Sequence, residues 1–162
     1  MAQQAGNMAS RILAGEQLKD VVGISQRQIQ GIAALGYNLY QQGKLKEAET
    51  IFRGLVATDD KSYYGYAGLG TIQLAKNPPD LKKAQEYLSK AAQLNPEDAS
   101  VQASLGEVLL RQAKFDDSAK LFKKAIELDP KQQDPGANRA RAIVSGLNTV
   151  ITELQRIERG AA

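Results

Sequence analysis

The side chains in this sequence that could do covalent or acid–base chemistry are few. The chain has no His and no Cys. The commonest general base, the commonest metal ligand and all thiol chemistry are therefore missing. Two carboxylate pairs remain, Asp59-Asp60 and Asp116-Asp117. Both fall between apolar-periodic segments, where turn formation and helix capping account for them. Gly65, Gly68 and Gly70 form a glycine-rich stretch without the Lys-Ser/Thr ending of a phosphate loop and without a strand before it. The serines have no His partner. No catalytic constellation, cofactor site or metal site is expected.

What remains is binding chemistry. Six tyrosines and three phenylalanines are present, Tyr37, Tyr40 and Tyr64 among them. Tyrosine offers a flat apolar body with a polar tip, suited to gripping an extended peptide or to packing helix on helix. Both uses stay open for these three, whereas Tyr63, Tyr66 and Tyr87 read as packing residues. The net charge of +3 comes from interspersed acids and bases. Lys82-Lys83 and Lys123-Lys124 read as solvated helix faces, and a nucleic-acid surface is not expected. No apolar run reaches the roughly 20 residues of a membrane helix. MAQQAGNMAS lacks the apolar core of a secretory signal, so a cytoplasmic location without membrane insertion is expected.

These residues need elements to hold them, and the elements repeat. Segments starting at Ile29, Tyr63 and Ala99 align, 34 and 36 residues apart. Each carries Leu-Gly in its first half: Leu35-Gly36, Leu69-Gly70 and Leu105-Gly106. A small residue follows 12 to 14 positions later: Ala48, Ala84 and Ser118. Four further on stands a large apolar one: Phe52, Leu88 and Phe122. Asn77-Pro78-Pro79-Asp80 accounts for the longer second repeat, and Asn95-Pro96 and Asp129-Pro130 mark boundaries. The glycine lets a paired helix approach, the small residue sits against it, and the large residue fills the gap to the next repeat.

This pattern resembles the tetratricopeptide repeat (TPR), a helix-turn-helix of about 34 residues. The expected fold is all-α: a helical-hairpin solenoid of three repeats with an N-terminal helix and a C-terminal capping helix. Ala9 to Val22 reads as one amphipathic helix bearing Ile12, Leu13, Leu18 and Val21. Gly23 ends it and Ser25 caps the next helix. Residues 1–22 form an extension, and residues 24–162 the repeat domain. Gln132 to Gly136 reads as a turn. Ala140, Ile143, Val144, Leu147, Val150, Ile151, Leu154 and Ile157 then form an apolar stripe expected to cover the last repeat. Arg159 to Ala162 reads as a frayed tail.

The resemblance implies which positions line the inner wall. In the first repeat they are Gln30, Ala33, Tyr37, Tyr40 and Gln41. In the second they are Tyr64, Ala67, Thr71, Leu74 and Ala75. In the third they are Ser100, Ala103, Glu107, Leu110 and Arg111. Only Arg111 among these could bind a carboxylate, which disfavours recognition of a peptide C-terminus.

Residues from about 20 to 155, most strongly 24–70, resemble something narrower, the class II chaperones of type III secretion, which hold translocator proteins. Ile24-Ser25, Tyr40-Gln41-Gln42-Gly43-Lys44, Ala48, Phe52, Leu55, Asp59 and Gly68-Leu69-Gly70 stand in matching order. Ala33 and Leu45 occupy places where that family often has aromatics. The resemblance implies a bacterial, non-enzymatic holdase whose groove takes an extended segment of a hydrophobic secreted translocator. It also implies a homodimer through residues 8–22. The alternative is a general tetratricopeptide scaffold that assembles a bacterial complex.

Overall fold

The glycine–large-residue pairing of the repeats decides how the helices meet. In the computed structural model, which describes residues 8 and 10–160, every regular element among the described residues is helical. The fold divides into two compact units, one reaching to Leu94 and one starting at Asn95.

The first unit holds α1 (Leu18–Val22), α2 (Gln26–Gln41), α3 (Leu45–Thr58), α4 (Tyr63–Ala75) and α5 (Leu81–Leu94). The hairpins α2–α3 and α4–α5 are the first two repeats. Gly23 takes a left-handed conformation (φ 72°) and caps α1, as expected of a glycine ending a helix. Ser25 and Gln28 form a reciprocal capping box at the start of α2. At the start of α5, the Asp80 carboxylate accepts the Lys83 backbone N–H at 3.0 Å.

Phe52 is fully buried at the centre of this unit. A β-carbon at Gly36 would come within 2.7 Å of its ring, and one at Gly68 within 2.3 Å. Both glycines are thus required by close approach, and Phe52 bridges the first repeat to the second. Gly70 meets Leu88 in the same way. Ala48 and Ala84 are fully buried, as the small-residue positions demand.

The second unit holds α6 (Ala99–Arg111), α7 (Phe115–Leu128) and α8 (Pro135–Gly160). Here Gly106 faces Phe122, and the Ser118 hydroxyl donates to the Gly106 carbonyl at 2.8 Å. The small residue of this repeat therefore adds a hydrogen bond to its packing. Phe122, Ala103, Ala125 and Ala140 share one core cluster, which joins α6, α7 and α8.

Four sequence expectations change. The N-terminal segment is not one helix. Its first helical turns end at Ala14-Gly15, where Gly15 sits at φ 88°, and α1 starts only at Leu18. Glycine breaks the run because it alone adopts that backbone without strain. Arg11 bridges the break by pairing with Glu16 at 2.6 Å, and Leu13 stands 88% exposed. The expectations for residues 1–7 and Ala9 lie outside the described residues, as do those for Ala161 and Ala162.

Pro135 and Gly136 are not in a turn but in the first turn of α8. Asp134 accepts the Ala137 N–H at 2.7 Å, and proline suits the first helical position because its missing N–H has no partner there. Asp116 and Asp117 lie inside the first turn of α7, where the helix dipole favours carboxylates. Finally, α8 covers its repeat only with its first half. Ala137 and Ala140 are buried and Ile143 and Val144 half-buried, but Leu147, Val150, Ile151, Leu154 and Ile157 are 43–60% exposed.

Candidate functional site: a tyrosine-bearing wall in the first unit

The wall positions of the first unit separate by burial. Ala33, Ala67 and Leu74 are buried, and Ala33 belongs to the core cluster with Ile29, Phe52 and Ile72. Their small or aliphatic side chains are spent on closing the repeats. Gln30, Gln41 and Ala75 are exposed, and Tyr37, Tyr40, Tyr64 and Thr71 half-buried.

The tyrosines divide their surface between two tasks. Tyr37, Tyr40 and Tyr64 all pack against the core cluster with one part of the ring. Tyr37 meets Phe52 edge-on at 5.0 Å between centroids. Tyr64 lies 4.0 Å from the ring of Tyr63, tilted by 33°. Packing on one side fixes each ring, and the remaining surface stays open. The Gln30 amide donates to the Tyr64 hydroxyl at 3.3 Å, a contact across one full repeat that ties α2 to α4 along the wall. Thr71 donates back to the Ala67 carbonyl at 2.9 Å within α4, so its hydroxyl is already satisfied.

The wall of the second unit is furnished differently. The Ser100 hydroxyl donates to the Asp134 carboxylate at 2.9 Å. Arg111 pairs with Glu107 at 2.6 Å, and Arg139 pairs with the same carboxylate at 3.1 Å. Arg139 also donates to the Ser104 hydroxyl at 3.0 Å. Ala103 is buried, and Leu110 packs on the Phe122 cluster. Arg111 is therefore already engaged, and Arg139 is engaged with the same partner. Arg139, Ser104 and Asp134 were not singled out from the sequence. The 34-residue period carries on past Asp129, which puts Asp134 one period beyond Ser100 and makes the start of α8 pack as a further first helix.

Electrostatics outside the wall is structural. Lys19 pairs with the buried Asp59 at 2.8 Å and holds α1 to the end of α3. The Asp59 hydrogen bond raises the Lys19 ammonium above its ordinary value. Arg141 pairs with Asp129 at 3.0 Å and also donates to the Asp129 carbonyl, holding α8 to the end of α7. Gln102 is buried and donates to the Pro96 carbonyl at 3.0 Å. Among the described residues, no group of three or more carboxylates is placed to hold a metal, and no helix is long and apolar enough to cross a membrane.

A tetratricopeptide repeat family model matches residues 80–144. The chain is similar to the chaperone protein SicA of Salmonella typhimurium, at 33% identity over 142 residues. That match covers 86% of this chain and 82% of SicA. It is also similar to the human DnaJ homolog subfamily C member 3, at 28% identity over 127 residues, but spans only 24% of that protein. Among solved structures, PcrH in complex with the chaperone binding region of PopB superposes with a TM-score of 0.60 at 26% identity. That superposition covers 74% of this chain and 97% of PcrH.

Proposed function

This chain belongs to the SicA family of tetratricopeptide chaperones of type III secretion translocators, and from that premise we propose that it holds an extended translocator segment on its first-unit wall. The observation that carries this reading is the divided surface of Tyr37, Tyr40 and Tyr64. Each ring is fixed by packing on the core and keeps an open part, so an apolar anchor meets a surface that loses little freedom on binding. Gln30 and Gln41 supply amides beside those rings for the backbone of an extended segment, whose unpaired N–H and C=O groups need partners.

The mechanism is holding. The client exposes apolar segments before export, the wall covers them, and mass action favours the covered state without nucleotide or metal. The chain acts in the bacterial cytoplasm, where its client is made. The second unit, with Arg111 and Arg139 both committed to Glu107, does not offer a clamp for a free carboxylate, so the client is read along its chain and not at its end.

The test is co-expression with a hydrophobic translocator encoded beside this chain. Wild type keeps the translocator soluble and co-purifies with it. The variant Tyr40→Ala, with its melting temperature checked, loses the complex. If instead wild type captures only proteins that are soluble alone, and Tyr40→Ala captures them equally, the chain is a scaffold working through another face.

A further inference from the structure

One hydrogen bond on the first-unit wall leaves a donor and an acceptor unused. The Gln30 amide N–H donates to the Tyr64 hydroxyl at 3.3 Å, from α2 to α4. Among the described residues, neither side chain makes a further hydrogen bond. A tyrosine hydroxyl that accepts a bond still has its own O–H to donate, and the Gln30 amide keeps its carbonyl oxygen to accept. One donor and one acceptor therefore stand beside each other at the wall. Turning the amide over exchanges the two roles and keeps one of each.

The pair is also held in place. The Tyr64 ring packs partly on the core cluster and lies 4.0 Å from the ring of Tyr63. Tyr64 in turn holds the Gln30 amide, which is otherwise exposed. A donor and an acceptor fixed side by side match one residue of an extended chain. In paired antiparallel strands, such a residue exchanges both its N–H and its C=O bonds with the residue opposite.

We propose that Gln30 and Tyr64 act together as a backbone reader, which takes the N–H and the C=O of a single residue of the translocator segment. This rests on the proposed wall and names what sets the register of the client there. The reader is indifferent to the side chain but rejects proline, which has no N–H. Tyr37 and Tyr40 follow Gln30 by seven and ten residues on the same helix. The rings therefore lie about 10–15 Å along α2 from the reader. An extended chain covers that distance in about three to five residues. The client is thus held at two separated points, through an apolar side chain at the rings and through its backbone at the reader.

Other polar contacts on the walls lack this property. Ser100 has one O–H and commits it to Asp134, whose carboxylate offers only acceptors and also takes the Ala137 N–H. Thr71 commits its O–H to the Ala67 carbonyl. Of these three contacts, the Gln30–Tyr64 pair alone keeps both a donor and an acceptor.

The experiment titrates overlapping synthetic peptides of the translocator encoded beside this chain into the full chain, by calorimetry. In the peptide that binds, backbone amides are replaced one at a time by esters, which removes one N–H and leaves every side chain. Wild type should lose about three- to tenfold in affinity at a position about three to five residues from the apolar residue whose replacement by Ala costs most. Proline at that position should cost at least as much. The Gln30→Met/Tyr64→Phe chain, with its melting temperature checked, should bind the parent peptide about tenfold or more weakly, and in it that ester should cost nothing further. A contact that only ties α2 to α4 would weaken all peptides equally and leave every ester cost as in wild type, which overturns the reader. Unchanged binding of the parent peptide by the double variant overturns it too. If the reader fails while Tyr40→Ala still abolishes binding, the wall stands and its register is set elsewhere. A wild type that binds none of the peptides overturns both.

Discussion

In the first unit, Gln30 reaches Tyr64 one repeat later at 3.3 Å; in the second unit, Ser100 reaches Asp134, also 34 residues later, at 2.9 Å. The repeat geometry is shared, and the chemistry placed on it is not. The first contact joins two neutral groups beside partly open aromatic rings. The second is a hydroxyl on a carboxylate, with a Glu107–Arg111–Arg139 cluster further along the same helices. Charge-assisted bonds of that kind are the stronger ones. The repeat fixes where a side chain sits, and the residue at that place decides whether its surface stays partly open or is closed by its own unit.

The largest way to break the comparison is through the cores. Phe52→Ala should cost about 3–5 kcal/mol in chemical denaturation, because it empties a site facing two glycines. Phe122→Ala should cost a similar amount or less, since Phe52 also carries the edge contact with Tyr37. A Phe52→Ala chain as stable as wild type would mean that the glycine–phenylalanine contact does not organise the first unit.

Next comes the wall. Tyr40→Ala should weaken translocator binding about tenfold or more, in the range of an aromatic anchor. Arg111→Ala should change it by less than about threefold, since a partner already engages that guanidinium. Calorimetric titration of the purified translocator segment separates the two. The reverse order would move the site to the second unit.

A smaller effect of opposite sign in the two units appears with pH. In the first unit, the hydrogen bond from Arg53, with Lys76 adding to it against burial, holds the Glu49 carboxyl below its ordinary value. A lowered folded value means that its stabilisation is present above the ordinary glutamate range and is lost as pH falls through the folded value. In the second unit, burial pushes the Asp98 carboxyl up, with repulsion from Asp134, against hydrogen bonds from the Val101 and Ser100 N–H groups. A raised folded value means that the folded chain keeps this proton to higher pH than the unfolded chain. Stability then falls as pH rises from the ordinary aspartate range through the raised value.

Glu49→Gln should therefore lower the melting temperature at neutral pH and not in acid. Asp98→Asn keeps a good N-cap and should leave the melting temperature at neutral pH equal or higher. A clear loss in Asp98→Asn at neutral pH would show that its hydrogen bonds outweigh its burial. The smallest effect expected is Gln30→Ala, about 0.5–1.5 kcal/mol for one neutral hydrogen bond at the exposed wall, read by the same melts.

The three hairpins were legible because each rests on a local and recurring constraint. Gly36, Gly70 and Gly106 find Phe52, Leu88 and Phe122 as their spacing requires, and Ala48, Ala84 and Ser118 are buried beside them. Gly23 and Ser25 are likewise short-range signals, a cap and a capping box. The break at Gly15 was not legible, because the apolar positions on either side still fit one helix loosely. Pro135-Gly136 looked like a turn, although Asp134 before a first-position proline is an equally good helix start. At the wall, a pattern gives direction but not burial. Ala33 and Ala67, expected on the wall, are buried in the core, because how deep a small residue lies depends on the larger ones around it. The Arg139–Glu107 contact needed tertiary placement, since it links residues 32 apart on α8 and α6.

The most direct test of the account is capture of the translocator from its native cell by wild type, Tyr40→Ala and Arg111→Ala chains of verified equal stability. The account predicts one hydrophobic secreted protein bound by wild type and by Arg111→Ala and lost from Tyr40→Ala. Retention by Tyr40→Ala together with loss from Arg111→Ala would contradict it.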